Sequence, residues 1–173
     1  MNLLNIALIL LASLSASPDR YPVPLKNPKH LFYVQRTENT NTVVYEANFD
    51  DQGQLNAKDP IKIYWVLYEQ GGTVEPLTRL ENTFAFGVNH KAVKNLNQVY
   101  DIELVSFKKL KLRLKQTAPF HAEILKGEGQ SASPLDHIFV HANDAGLWTK
   151  VEFLEIYTHL PDSKGLKQEK IQI

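Results

Sequence analysis

The stretch Pro60-Ile61-Lys62-Ile63-Tyr64-Trp65-Val66-Leu67-Tyr68 is the densest run of β-branched and aromatic side chains in the chain. Side chains alternate across a strand, so Ile61, Ile63, Trp65 and Leu67 share one face and Tyr64, Val66 and Tyr68 the other. Apart from Lys62 both sets are bulky, which predicts a central strand covered on both sides. Pro60 fits the first position of such a strand, where its missing N–H removes no ladder bond.

Upstream, residues 31–36 read as a strand, 37–41 as a turn and 42–49 as a second strand with Val43, Tyr45, Ala47 and Phe49 on one face. Downstream, Gly71-Gly72 breaks the central strand. Within 76–84, Leu77, Leu80 and Phe84 fall at helical spacing between an early Pro76 and Gly87, which predicts one short helix capping an open end of the sheet. From Val99 to Gln116 the alternation stays in phase. A hairpin turning at Ser106-Phe107-Lys108 sets Asp101 opposite Arg113, Glu103 opposite Lys111, Ile102 against Leu112 and Leu104 against Leu110. Residues 120–125 read as a strand and 126–134 as a Gly- and Ser-rich loop. Two further strands, 135–142 and 147–160, flank a hairpin tip at Asn143-Asp144-Ala145-Gly146, and 166–173 supply the last. About nine short strands, one helix and no strand–helix alternation give an all-β antiparallel meander, closed as a lipocalin-like barrel or folded as a sandwich. The barrel is preferred because closure removes exposed edges.

The 173 residues, 43% apolar and 22% charged, suit one domain with a real core, placed at 31–173. Lys+Arg and Asp+Glu both total 19, so no overall field draws the chain onto nucleic acid or an anionic membrane. The absence of Cys excludes disulfides, thiol catalysis and lipoprotein anchoring. Residues 1–15 are apolar, too short to span a bilayer, and run into small residues at Ser13-Leu14-Ser15-Ala16, so they read as a cleaved signal peptide although no Lys or Arg precedes them. A buried N-terminal helix is the alternative. The expected destination is the periplasm or the exterior, with no transmembrane segment after cleavage. Pro18, Pro22, Pro24 and Pro28 make 16–30 an extended, unpaired lead-in.

Three constellations carry possible chemistry. Residues 48–59 align with a twelve-residue calcium loop: Asn48, Asp50, Gln52 and Asp59 stand at ligand positions and Gly53 at the sharp turn. Only two of these are carboxylates and the flanks read as strands, so a polar strand connection is the plainer reading and weak structural calcium the only cofactor considered. Asp136, His137, His141 and Asp144 could face a common pocket with His121, and a hydrolase using His121, His137 and Asp136 is the enzymatic alternative. No elbow serine, HExxH or phosphate-binding loop supports it. Lys109, Lys111, Arg113 and Lys115 form a basic row without interleaved aromatics, better read as a solvated outer strand face than as a nucleic-acid track.

The runs Leu31–Tyr45, Pro60–Trp65 and Phe84–Val88 resemble a bacterial family of exported proteins catalogued only as a domain of unknown function. The resemblance implies one domain across most of the chain and brings no activity with it. The favoured expectation is a non-catalytic exported β-domain that holds a small apolar or amphipathic ligand, or docks on an envelope partner. Tyr64, Trp65, Tyr68, Trp148 and Tyr157 are expected to line its site. A structural protein that pairs through a sheet edge is the third class.

Overall fold

A computed structural model describes residues 21–127, 129–143, 150–161 and 165–173. The proposed signal peptide, Trp148, Asp144 and most of the hairpin tip at 143–146 lie outside these residues. The described chain is all-β: β1 (His30–Arg36), β2 (Asn39–Ala47), β3 (Ile61–Leu67), β4 (Thr73–Pro76), β5 (Val88–Ala92), β6 (Val99–Leu104), β7 (Phe107–Ala118), β8 (His121–Lys126), β9 (Ser133–Asn143), β10 (Lys150–His159) and β11 (Leu166–Gln172). One six-residue helix, α1 (Arg79–Phe84), interrupts them.

The eleven strands form one curled, half-barrel sheet with two facing parts. A long sheet runs β4-β3-β2-β1-β9-β10-β11 and a short one β5-β6-β7-β8. They join where β8 pairs with the start of β9, at Leu125 opposite Pro134 and Lys126 opposite Ser133. Among the described residues the ladder ends at β4, β5 and β11. The architecture thus lies between the closed barrel and the sandwich: two curved layers share a core but stay open at one end.

That core comes from one parity of each strand. Phe32 and Val34 of β1, Val43, Tyr45 and Ala47 of β2, Ile102 and Leu104 of β6, Leu112 and Leu114 of β7 and Ile138 of β9 form one buried cluster. Phe32 stacks on Tyr45 with ring centroids 4.1 Å apart. Fully burying side chains of this size stabilises the fold by about 1.5–3 kcal/mol each.

The β6–β7 hairpin has the register expected from its alternation, with Asp101 opposite Arg113, Ile102 opposite Leu112 and Glu103 opposite Lys111. A bulge near the turn sets Leu104 against Phe107 instead of Leu110, which tightens the turn to Val105 and Ser106. The outward charges pair across strands: Arg113 Nη2 lies 2.8 Å from Asp101 and Lys111 Nζ 3.7 Å from Glu103.

Several expectations change. The 60–68 strand is second from the edge, not central, because β1 and β2 have longer fully buried runs and its outer neighbour β4 has four exposed residues. Trp65 is accordingly half-buried. The meander has one parallel pair, β1 with β9, matching Tyr33 to His137 and Val34 to Ile138. Hairpin logic cannot anticipate it, since β9 returns only after the whole short sheet has been laid down. The edge strands β4 and β5 lack the apolar alternation that signals a strand, and Pro76 belongs to β4, opposite Tyr64. The helix begins after a Thr78 cap. Thr78 Oγ1 accepts from Glu81 N–H, while Thr78 N–H donates to Glu81 Oε2 at 2.8 Å, a reciprocal box that satisfies two orphan donors. Gly87 is required just beyond: a Cβ there would sit 1.8 Å from the carbonyl oxygen of Asn82.

The largest change concerns the N-terminal segment. Residues 21–29 are not an unpaired lead-in but a strap across the outer face of the long sheet. Gln35 Nε2 donates to the carbonyl of Pro22, Ala47 N–H donates to that of Lys29, and the Tyr21 ring meets Phe139 edge-on at 4.9 Å. Within the strap Pro24 is buried.

Candidate functional site

Two places gather side chains that chemistry could use, one on each face of the long sheet. The inner one is an apolar cleft of about 490 Å3 at the open end between the sheets. Its walls come from inward positions: Val34 and Arg36 of β1, Tyr45 of β2, Trp65 of β3, Leu104 of β6, Ile138 and Val140 of β9 and Leu154 of β10. Phe84, Phe86 and Ile173 complete the rim. The cleft is open because α1 does not cap it in the manner its apolar stripe suggests: Leu80 is 71% and Phe84 72% exposed.

Polar anchors fix this mouth. Trp65 Nε1 donates to Glu81 Oε1 at 3.1 Å, so the residue that closes the helix cap also orients the indole, whose ring meets Phe86 edge-on at 5.0 Å. Tyr45 is fully buried, its hydroxyl donates to the Phe86 carbonyl at 2.7 Å, and burial pushes its pKa far up. It therefore stays a neutral donor.

Of the five aromatics expected to form one lining, Trp65 lines the cleft. Tyr64 and Tyr157 point to the opposite face, and Tyr68 lies in a 3-10 turn (Tyr68–Gln70) beyond β3. The reason is the two-residue period itself: neighbours on one strand cannot share a face.

The outer place is centred on Asp136. Tyr157 pairs with His137 but Thr158 with Leu135, so Asp136 is the extra residue of a bulge. Consecutive residues normally point apart; the bulge turns both Asp136 and His137 outward. His137 Nδ1 lies 2.7 Å from Asp136 Oδ2, and Oδ1 of the same carboxylate meets Lys26 Nζ of the strap at 2.5 Å and His159 Nε2 at 3.0 Å. Burial would raise the Asp136 pKa, but hydrogen bonds from His137 and Lys26 and the charge of Lys26 outweigh it and hold the carboxyl well below the usual range. The His137 ring is stacked between Tyr33 at 4.9 Å and Tyr157 at 4.1 Å. Beside this group Glu46 accepts from Tyr64 Oη at 2.9 Å and from Asn27 of the strap. His30, under the same strap, has its pKa lowered by burial and by Lys26.

Of the proposed hydrolytic trio, Asp136 and His137 are together. His121 is not with them: it is exposed on β8 with Nδ1 3.0 Å from the Pro119 carbonyl. His159 takes its place, a contact that only the β9–β10 register reveals. His141 lies on the same outer face, 3.0 Å from Glu155 and stacked on Phe153. Lys26 and His159 on one Asp136 oxygen form an ionic clasp that pins the strap.

In the calcium-like segment, Asp50 Oδ1 accepts from the amides of Gln52 and Gln54, both at 2.9 Å, and Asn48 Nδ2 donates to the Asp59 carbonyl at 2.7 Å. Gly53 holds φ +76° against the Phe120 ring, and its carbonyl accepts from Gln116 and Phe120. The Asn48 and Asp50 side chains thus serve a self-closed turn. Among the described residues no group of three or more His, Asp or Glu converges as a metal site.

Sequence reasoning also passed over Arg36. It keeps the parity of Phe32 and Val34, and that in-phase charge at the end of an apolar row was the available signal.

Among the described residues no helix is long and apolar enough to cross a membrane. Neither the curated proteins nor the solved structures include a match to this chain. One family model does match, over residues 32–170, from the middle of the β1 core row to the outer edge strand β11; the chain belongs to the family described as Domain of unknown function (DUF4833).

Proposed function

We propose that this chain is a non-catalytic exported binding domain that takes a small apolar or amphipathic ligand into the cleft between its two sheets. The observation that carries the reading is the cleft itself. Its volume lies within the range of small-molecule sites, its walls are apolar, and a few polar groups fix the mouth. The apolar run at 1–15 supports export, to the periplasm or beyond. The clasp on the outer face supports a non-catalytic role, because the Asp136 carboxylate is taken up by Lys26 of the strap, His137 and His159.

An envelope partner is the second reading, favoured by the exposed apolar rim of Leu80, Phe84 and Ile173. Pairing through a sheet edge has less support: β4 is short and ends in Pro76, and β5 and β11 carry Lys91, Lys167 and Lys170. Titration with Nile red, a neutral dye that brightens in apolar surroundings, tests the ligand reading. Saturable one-to-one binding that Ala142→Phe abolishes is expected. No binding by the folded protein would refute it. Native mass spectrometry of protein taken from its own envelope would then distinguish a retained small molecule from a retained protein.

A further inference from the structure

We propose that His30 makes the strap an acid-sensitive latch: protonating its ring releases residues 21–29 from the outer face of the long sheet. The device is independent of the cleft and goes beyond the binding reading. His30 opens β1, and the register shift between His30 and Phe32 decides where its ring lies. The shift lets Leu31 join Phe32 in the buried core and sets His30 opposite Glu46, whose side chain meets the strap. The imidazole is thereby left under the strap, 6.0 Å from the Tyr33 ring, while its own backbone N–H donates to the Asn27 carbonyl. Both ring nitrogens are shut off from solvent there, with no hydrogen-bond partner among the described residues.

A neutral imidazole tolerates such a place, but an imidazolium needs water or a partner. The charges around it are Lys26 of the strap, Glu46 of β2 and Asp136 of β9. Both carboxylates are already engaged. Glu46 is held by Asn27 of the strap and Tyr64 of β3, and Asp136 by Lys26, His137 of β9 and His159 of β10. Burial first, and then the Lys26 charge, pull the His30 pKa down against the two carboxylates. A proton on His30 therefore favours the lifted strap, in which Lys26 moves away and Asn27 frees Glu46 to pair with the imidazolium opposite it. Protonating His137 or His159 acts the other way, since each rests on Asp136 and would hold it more tightly. Because the pKa is depressed under the closed strap, closure keeps its full strength above about pH 6.5 and weakens as the pH falls from there. That window lies well above the range in which Asp136 takes a proton.

Amide exchange of the purified full chain, corrected for the intrinsic pH dependence of exchange, reads the latch at Ala47, whose N–H donates to the Lys29 carbonyl of the strap at 2.7 Å. Its protection should fall by up to about 10-fold per pH unit between about pH 6.5 and about pH 5, while that of Val43 in the core stays level. His30→Gln, neutral throughout, should flatten the Ala47 profile, and His159→Gln should leave the fall in place. A level wild-type profile, an equal fall at Val43, or a fall that survives in His30→Gln would overturn the latch. Should His30→Gln not fold, ring-proton resonances of the wild type still decide. The His30 ring must titrate below the value of about 6.5 of a free histidine, and titration at or above it overturns the proposal.

Discussion

On β1, Phe32 and Val34 face the interior with Arg36, whereas Tyr33 and Gln35 face the strap, and the two sets are closed off from water in different ways. Inside, closure comes from a second layer of sheet, and it stops short of one end, where the cleft and Arg36 lie. Outside, closure comes from the chain's own residues 21–29, held by Lys26 on Asp136, Asn27 on Glu46 and Gln35 on Pro22. On the outer face Asp136, Glu46 and Gln35 find their partners within the molecule, while the inner face leaves an open apolar space at one end. This contrast separates a structural polar cluster from a candidate binding site, even though the structural one has the more enzyme-like residues.

The contrast predicts unequal costs. Phe32 has no exposed surface and stacks on Tyr45, so Phe32→Ala should destabilise by about 3–5 kcal/mol in urea unfolding, most of it a cavity penalty. Asp136→Asn should cost less, about 1–3 kcal/mol, because Lys26 and His159 are nearly half exposed and water can take over part of their solvation. Equal losses would mean that the outer clasp is as much a core as the inner layer. The pH dependence gives the clasp its signature. The folded Asp136 pKa lies below its unfolded value, so its contribution is fully present above about pH 4 and is lost at up to about 1.4 kcal/mol per pH unit as the pH falls below that. The deficit of Asp136→Asn should therefore shrink steadily as the pH falls below about 4, while the Phe32→Ala deficit stays constant.

How much of this was readable beforehand depended on whether the signal was local. The β6–β7 register was legible because apolar and charged residues alternate without a break and each charge finds its opposite across the turn. The Thr78–Glu81 box was written in the sequence as a cap followed three residues on by an acid, yet the boundary moved because Pro76 also satisfies an edge strand. Trp65 was legible as an inward anchor. Its Tyr neighbours were not separable from it while both faces of β3 looked equally bulky. The Asp136 bulge was hidden, since it exists only in the pairing of β9 with β10, and so was the replacement of His121 by His159. The strap was missed because prolines mark extended backbone without saying what it lies against.

Lifting the strap sharpens the comparison at lower cost. Lys26→Ala removes an ion pair whose lysine is 46% exposed, so global stability should fall by less than about 1 kcal/mol. Local opening should respond more: the Ala47 amide, which donates to the Lys29 carbonyl, should exchange faster, while amides of the inner core such as Val43 keep their protection. Uniformly faster exchange across β1 and β2 would show that the strap is part of the cooperative core instead of a separately opening layer.

The smallest effect is expected at the loop joining β2 to β3, where the rule drawn from the two faces meets the calcium-like spacing. Asp50 Oδ1 already holds the amides of Gln52 and Gln54, and an asparagine oxygen can accept the same two bonds. Asp50→Asn should therefore change stability by no more than about 0.5 kcal/mol, and EDTA should leave the melting midpoint where it was. A bound calcium ion would behave differently on both counts, because ligand binding to the folded state raises the midpoint with ion concentration and a lost carboxylate weakens it. A midpoint that rises with added calcium and falls in Asp50→Asn would make this turn a metal site. It would also break the inference that polar groups which satisfy one another in this fold are there to hold the chain.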